Sequence, residues 1–102
     1  MTNTEFLQEV KRYVHELDPQ AEVWLFGSRA RGDFREDSDW DFLILSDKPV
    51  DRNYKRLIRD HLFYLGLDSE RIIGTIIQNK STWETLELTN LHQNIREDGQ
   101  LV

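Results

Sequence analysis

The stretch LFGSRARGDFREDSDWDFLIL at residues 25–45 decides the fold of this chain. It begins within one short apolar run, VWLF at 23–26, and ends with another, FLIL at 42–45. Short apolar runs rich in aromatic and branched residues, bounded by turn residues, predict buried strands. The glycine and serine after the first run predict a turn into a short helix. The stretch therefore predicts a strand, a helical turn, a polar loop and a second strand.

Two polar features lie at the adjoining ends of these predicted strands. Gly27 permits a turn, Ser28 is predicted to cap the helix, and the free amides at the helix start favour an anion. Asp39 and Asp41 are two residues apart at a strand entry, so we expect them on one face, about 7 Å apart. Such carboxylates can share a hard cation such as Mg²⁺. Each feature alone is common in caps and turns, but together they predict phosphate and metal binding.

These residues carry a resemblance to a known family. Gly27-Ser28, ten intervening residues and Asp39-Trp40-Asp41 resemble the signature of the DNA polymerase beta-like nucleotidyltransferase superfamily. The strings GSRARG at 27–32 and SDWD at 38–41 resemble its minimal, MNT-type branch, which is similar to antitoxins paired with HEPN toxins. The resemblance implies one α/β (α+β) domain over residues 1–102, with a short mixed sheet of about three or four strands covered by helices.

The resemblance also implies an activity. Members of the family transfer a nucleoside monophosphate from an NTP, here ATP, to a hydroxyl of a protein or other acceptor, and acids hold the divalent metals that the transfer needs. Carried over, Asp39 and Asp41 become the catalytic residues and the ligands of Mg²⁺ or Mn²⁺. A HEPN-type protein is the implied partner, with this chain as the antitoxin of the pair.

Four residues of the motif are expected to bind the nucleotide. By resemblance, Gly27 and Ser28 hold the β- and γ-phosphates through backbone amides and the hydroxyl. Arg29 and Arg31 either offset phosphate charge or are surface residues tied to nearby acids. The sequence leaves both interpretations of the arginines open.

The sequence departs from the family pattern at the third acid. That acid lies on the strand after the second long helix, and the corresponding position here is about Gly74, which has no carboxylate. Glu70 is four residues away, about 13 Å along a strand. The alternative function is therefore a catalytically impaired relative that binds metal and nucleotide, or only a partner.

The rest of the chain predicts regular elements. Its apolar spacing predicts helices over 2–17 and 51–65, a strand over 71–78, and a last helix from a capping box at 81–84 to residue 98. Gly66 is predicted to end the second long helix. Trp40 should face the core, and Phe34 either packs under its loop or lies near a base. His92 is predicted to be a surface histidine or one with satisfied hydrogen bonds.

Charge and composition restrict the classes of function. The chain has a net charge of −6, which argues against nucleic-acid binding as its main task. It has no cysteine and no apolar stretch of membrane-spanning length, so we expect a cytoplasmic protein without disulfides. An exposed sheet edge leaves a homodimer open.

One basic helix face has two interpretations. Arg52, Lys55, Arg56 and Arg59 recur at helical spacing on the second long helix. They form either a solvated, salt-bridged face or a docking stripe for an acidic partner or a nucleic acid. A nucleic-acid-binding module using this face is the third functional hypothesis.

Overall fold

The computed structural model describes residues 1–102 and contains a four-stranded sheet and five helices. The elements in chain order are α1 Asn3–Leu17, β1 Glu22–Phe26, α2 Ser28–Arg31, β2 Trp40–Ser46, α3 Arg52–Ser69, β3 Ile73–Asn79, α4 Lys80–Glu84, α5 Asn90–Asp98 and β4 Gln100–Leu101. The strand order is β3-β2-β1-β4. Strand β1 is antiparallel to β2 and β4, whereas β2 is parallel to β3. The predicted mixed sheet covered by helices is confirmed.

Helices α1 and α3 cover one face of the sheet. Their apolar sides share a core of 13 buried residues with alternate residues of the strands. Phe6 of α1 packs edge-on against Trp40 of β2, with ring centroids 5.0 Å apart. Trp40 is therefore a core residue, as predicted, and its position fixes which face the flanking aspartates can use.

Helices α4 and α5 cover part of the other face. Leu43 and Leu45 of β2 pack there against Trp83 and Ile95. Asp41 lies on the same face of β2 as these leucines. It is only half-buried, because the α4–α5 layer does not cover its end of the strand. The second face is consequently apolar at one end and polar at the other.

The predicted last helix is two helices, and its predicted capping box is wrong. Asn79 begins α4, since its side chain accepts a hydrogen bond of 2.9 Å from the Ser81 amide. Thr85 and Thr89 then donate their hydroxyls to the carbonyls three residues earlier, and Thr89 caps α5. Threonines that hydrogen-bond the local backbone compete with helical geometry, which explains the break at 85–89.

Gly66 does not end the second long helix, contrary to prediction. Helix α3 continues to Ser69, and Glu70 ends it in the left-handed region at φ 56°. Gly66 is buried, and a Cβ added there would lie 2.8 Å from the Arg71 carbonyl oxygen. Glycine is therefore needed for the close passage of the chain that leads into β3.

His92 differs from both alternatives considered for it. Its ring is buried and stacks on Trp83 with centroids 4.7 Å apart, and its Nδ1 has no hydrogen-bond partner. Ring packing under α5 therefore accounts for its position better than a polar contact does.

None of the helices has the combination of length and apolarity that crossing a bilayer requires.

Candidate active site

Asp41 lies at the centre of the site because of its register in the sheet. It is opposite Phe26, the last residue of β1, and opposite Gly74 near the start of β3. Its neighbour Trp40 points into the α1–α3 core, so the Asp41 side chain is directed to the other face. The strand pairing thus brings the end of β1, the start of β2 and the start of β3 to one carboxylate.

The turn at Gly27 lies directly against this carboxylate. Gly27 has φ 74°, and a Cβ added there would lie 2.5 Å from Asp41 Oδ2. Both the backbone conformation and the space therefore require glycine. The predicted neighbourhood of the Gly-Ser turn and the strand acids is present as a physical contact.

Ser28 does not cap the helix after the turn. Gly27 is the N-cap of α2, and Ser28 is the first helical residue, with no side-chain capping bond at this end. The prediction that Ser28 is a cap is wrong because the turn at Gly27 already places Ser28 inside the helix. The first amides of α2 have no intrahelical acceptors, so they and the Ser28 hydroxyl can bind an anion beside Asp41.

The electrostatics of the aspartates favour a cation. Burial and then the negative charge of Asp39 raise the pKa of Asp41, and the guanidinium of Arg31 opposes them. Asp39 is exposed and directly precedes β2. A metal ion between these carboxylates would relieve the repulsion that the structure builds into them.

The acids here form a pair and no larger cluster. No group of three or more histidine, cysteine or acidic side chains comes together anywhere in the chain. A pair still suits Mg²⁺, which is usually held by one or two carboxylates together with waters and substrate phosphates. Asp39 and Asp41 would be these two ligands.

Gly74 lies where a third side chain would join the pair. A Cβ added to Gly74 would lie 2.9 Å from Asp41 Oδ1, and nothing else is within 4 Å. Glu70, the nearest acid before β3, is exposed at the end of α3. Strand β3 therefore supplies no carboxylate beside Asp41, because the side chain of Gly74 is a single hydrogen atom.

Arg29 is occupied with holding the loop before β2. Its Nε and Nη2 donate to the Ser38 carbonyl, and Nη2 also donates to the Glu36 carbonyl at 2.9 Å. The guanidinium lies 4.4 Å from the ring centroids of both Phe34 and Trp40. Phe34 thus packs on its own loop, one of the two positions considered for it.

These contacts give the two motif arginines different roles. Arg29 fixes the loop that delivers Asp39, a role that the sequence did not reveal. The only signal in the sequence was an arginine ahead of two aromatic residues, and such a pattern has no fixed spacing. Arg31 is the arginine that influences the site, since it lowers the pKa of Asp41 and lies 3.3 Å from the Asp33 carboxylate.

Known proteins resemble this chain over most of its length. The nucleotidyltransferase domain family matches residues 7–102. The chain belongs to this family. It is also 31% identical over 98 residues to a candidate protein adenylyltransferase of Methanocaldococcus jannaschii, a match that covers 91% of this chain and 93% of that protein.

One further relative matches a shorter part of the chain, and one solved structure shares the fold. The MntA protein of Haemophilus influenzae, named as a probable protein adenylyltransferase, is 42% identical over 48 residues, which is 47% of this chain and 42% of MntA. A toxin–antitoxin complex crystallised with AMP-PNP contains a chain with the same fold, at a TM-score of 0.65 and 17% identity. That match covers 98% of this chain and 72% of the other.

Proposed function

We propose that this chain is a metal-dependent nucleotidyltransferase that transfers a nucleoside monophosphate from ATP to a hydroxyl of a protein. The contact between the Gly27 turn and the Asp41 carboxylate carries this proposal. It places backbone amides suited to phosphate beside an acid suited to metal, which is the arrangement that nucleotide transfer needs. The adenylyltransferase names of the relatives support ATP and a protein acceptor.

The site residues divide into two sets. Asp39 and Asp41 would hold Mg²⁺ or Mn²⁺, which when bound neutralises triphosphate charge and lowers the pKa of the attacking hydroxyl. Gly27, Ser28 and Arg31 would bind the triphosphate from the β1–α2 side. Arg29 contributes indirectly, because its hydrogen bonds position the loop that ends at Asp39.

The reaction proceeds by in-line displacement at the α-phosphorus. The acceptor oxygen forms a bond to the α-phosphorus, the bond from that phosphorus to the α–β bridging oxygen breaks, and pyrophosphate leaves with the electron pair. The acceptor proton passes to solvent, because Asp41 would hold the metal and Gly74 offers no third carboxylate.

The second candidate function is a relative that binds Mg-NTP without efficient transfer. The observation that favours it is Gly74, since strand β3 supplies no carboxylate at the position beside Asp41 Oδ1. In either case we propose that the partner is a HEPN-type protein and that the chain acts as its antitoxin. The toxin–antitoxin complex with the same fold supports a toxin–antitoxin pair, and the HEPN type of the partner rests on the resemblance of the motif.

The proposal is tested with ATP labelled at the α-phosphate. The chain is incubated with Mg²⁺ and a HEPN-type toxin, and with ATP labelled at the γ-phosphate as the control for phosphoryl transfer. Label from the α-phosphate alone should appear on the toxin, and EDTA or the pair Asp39→Asn, Asp41→Asn should abolish it. Calorimetry then separates the two candidates: equal ATP affinity with and without Mg²⁺ contradicts both, whereas Mg²⁺-dependent binding without transfer selects the impaired relative.

A further inference from the structure

One surface of α3 combines cationic and apolar residues in a single line. Residues at positions 52, 56, 59, 63 and 67 are spaced by three or four, so they share one helix face. We call this line the α3 stripe; its members are Arg52, Arg56, Arg59, Phe63 and Leu67. The first three are cationic and the last two are apolar, so the two ends of the stripe have different chemistry.

The cationic end has no carboxylate partners. None of the seven salt bridges of the chain involves Arg52, Lys55, Arg56 or Arg59, and Arg56 hydrogen-bonds only Asn53. These side chains line a groove of about 610 Å³ in which Asp60 is the single acid. The face is solvated, as the first interpretation has it, but the salt bridges of that interpretation are absent. Four unpaired cations on a chain with 19 acidic residues leave a charged site for an outside anion.

The apolar end opens onto a second groove. This groove, of about 710 Å³, lies between α3 and β3. Phe63, Leu67 and Ile72 line it and are 62%, 60% and 66% exposed. Strand β3 is an edge strand, so no neighbouring strand covers this side. A contiguous apolar surface of this kind marks an interaction site.

We propose that the α3 stripe docks a segment of a partner protein that has carboxylates at one end and apolar side chains at the other. Arg59 lines both grooves, so one continuous segment can occupy them together. The carboxylates would pair with the arginines, and the apolar end would cover Phe63, Leu67 and Ile72.

The stripe suits an acidic protein segment better than a nucleic acid or a second copy. Phe63 is the single aromatic residue of the stripe, aliphatic Leu67 and Ile72 offer no stacking surface for bases, and the chain is acidic overall. In a two-fold antiparallel contact, the arginine end of each α3 would press on the apolar end of the other. That arrangement would desolvate the cations without supplying carboxylates.

The docked segment would lie at the β3 edge, on the opposite face of the sheet from the candidate active site. Ile73 and Thr75, which line the apolar groove, pair with Trp40 and Phe42 of the α1–α3 core. Gly74 pairs with Asp41 and shares its face. The docking proposal therefore does not rest on the proposed function.

The test is a titration of the whole chain with designed helical peptides, followed by NMR. Each peptide is as long as α3, 18 residues, with glutamates at one end and leucine and phenylalanine at the other, in both orders. A peptide with lysines in place of the glutamates tests the charge preference. A single-stranded RNA tests nucleic-acid binding, and sedimentation of the chain alone tests whether a second copy binds. We expect the acidic peptide to shift the stripe signals in a salt-dependent way, with no response to the lysine peptide or RNA, and a monomer in sedimentation.

Matched variants locate the binding. The double variant Arg52→Glu, Arg56→Glu should lower the affinity for the acidic peptide by at least about tenfold. Leu67→Glu should lower it to a similar extent. Leu88→Glu, at a residue that is 86% exposed and lies outside the stripe, should leave the peptide affinity unchanged. Absence of peptide binding, binding that the stripe variants do not alter, RNA binding, or a dimer that Leu67→Glu dissociates would each overturn the proposal.

Calorimetry with Mg-ATP on the same samples distinguishes failure of the docking proposal from failure of the proposed function. The stripe variants should bind Mg-ATP as the wild type does. Peptide binding without a Mg²⁺ effect on ATP affinity would sink the proposed function and keep the docking site. Mg²⁺-dependent ATP binding without peptide binding would sink the docking site and keep the function.

Discussion

At the scale of single residues, Asp41 exchanges stability for chemistry. Burial and the charge of Asp39 raise the pKa of Asp41, so its ionised form is disfavoured in the folded protein. We expect Asp41→Asn to raise the melting temperature at pH 7 while removing the effect of Mg²⁺ on ATP binding. The difference in melting temperature should disappear at low pH. As the pH falls through the raised pKa, Asp41 of the wild type becomes protonated and the two melting temperatures converge.

Asp39→Asn is the matched control for this prediction. Asp39 is exposed, so its replacement removes repulsion without removing a buried charge. It should raise the melting temperature less than Asp41→Asn does, although it also weakens the Mg²⁺ effect. Thermal unfolding between pH 3 and pH 8 checks both variants, and an Asp41→Asn protein less stable than wild type at pH 7 would refute the argument.

Gly74 tests whether a third acid can be restored. The Cβ of Gly74→Asp would lie near Asp41 Oδ1, a movable side-chain atom, so the carboxylates can adjust. We expect Gly74→Asp to increase Mg²⁺-dependent transfer by up to about 10²–10⁴-fold, the usual range for general-base assistance, and to be less stable without metal. Gly74→Ala adds the same Cβ without the charge. Equal rates in both variants would show that the carboxylate has no catalytic effect.

Ser28 becomes a clean probe of phosphate binding because it is not a cap. Ser28→Ala should change stability by no more than about 0.5 kcal/mol, as at an ordinary surface site. Its ATP affinity should nevertheless fall. Thr2→Ala is the comparison, since Thr2 forms a capping box with Glu5 and should lose about 0.5–2 kcal/mol. A Ser28→Ala protein with full ATP affinity would leave the backbone amides as the phosphate ligands.

At the scale of elements, one buried carboxylate joins three of them. Asp18, just after α1, is fully buried, and its Oδ2 accepts hydrogen bonds from Ser46 at the end of β2 and Tyr54 of α3, at 2.6 and 2.8 Å. Burial tends to raise the pKa of Asp18, but these hydrogen bonds and the charge of Lys48 together lower it. Burial raises the pKa of Tyr54 to about 12, so the phenol remains a donor.

We expect Asp18 to control the acid stability of the domain. Because its folded pKa is lowered, its contribution is fully present above the unfolded value of about 3.9 and is lost as the pH falls through the folded value. Asp18→Asn should therefore be less stable than wild type at pH 7, and the difference should narrow below about pH 4. Denaturant titrations measure it. The exposed Asp60, which forms no salt bridge, supplies the control Asp60→Asn, and a pH-independent difference would contradict the linkage.

The elements that could be predicted from sequence have a strong local pattern. The apolar runs of β1 and β2 and the spaced apolar residues of α1 predicted their elements, because period and burial agree there. Strand β4 has only two residues, Gln100–Leu101, too few to show alternation. The break between α4 and α5 depends on the hydroxyls of Thr85 and Thr89, whose choice of backbone acceptors the residue pattern does not disclose.

The candidate site was predictable to the same extent. Neighbouring positions of the glycine turn and the acids followed from the motif, whereas the Arg29 contacts depend on the folded loop. The reason for glycine at position 66 was likewise not visible in the sequence. A side chain there would clash with the carbonyl oxygen of Arg71, five residues later. Local chemistry is readable from sequence, but contacts between segments are not.

At the scale of the whole molecule, the site should be coupled to global stability. A ligand that binds only the folded state at one hundred times its Kd adds about 2.7 kcal/mol. For a domain of this size that corresponds to a rise in melting temperature of about 10–20 °C. We expect this rise with Mg²⁺ and ATP together at saturating concentration, and a much smaller one with ATP in EDTA, because Asp39 and Asp41 repel the triphosphate unless a cation lies between them. Scanning calorimetry measures the shifts.

The pair Asp39→Asn, Asp41→Asn should fold and should lose the difference between the two conditions, since the repulsion and the metal ligands disappear together. Equal shifts in the wild type with and without Mg²⁺ would mean that the aspartates do not act through a metal.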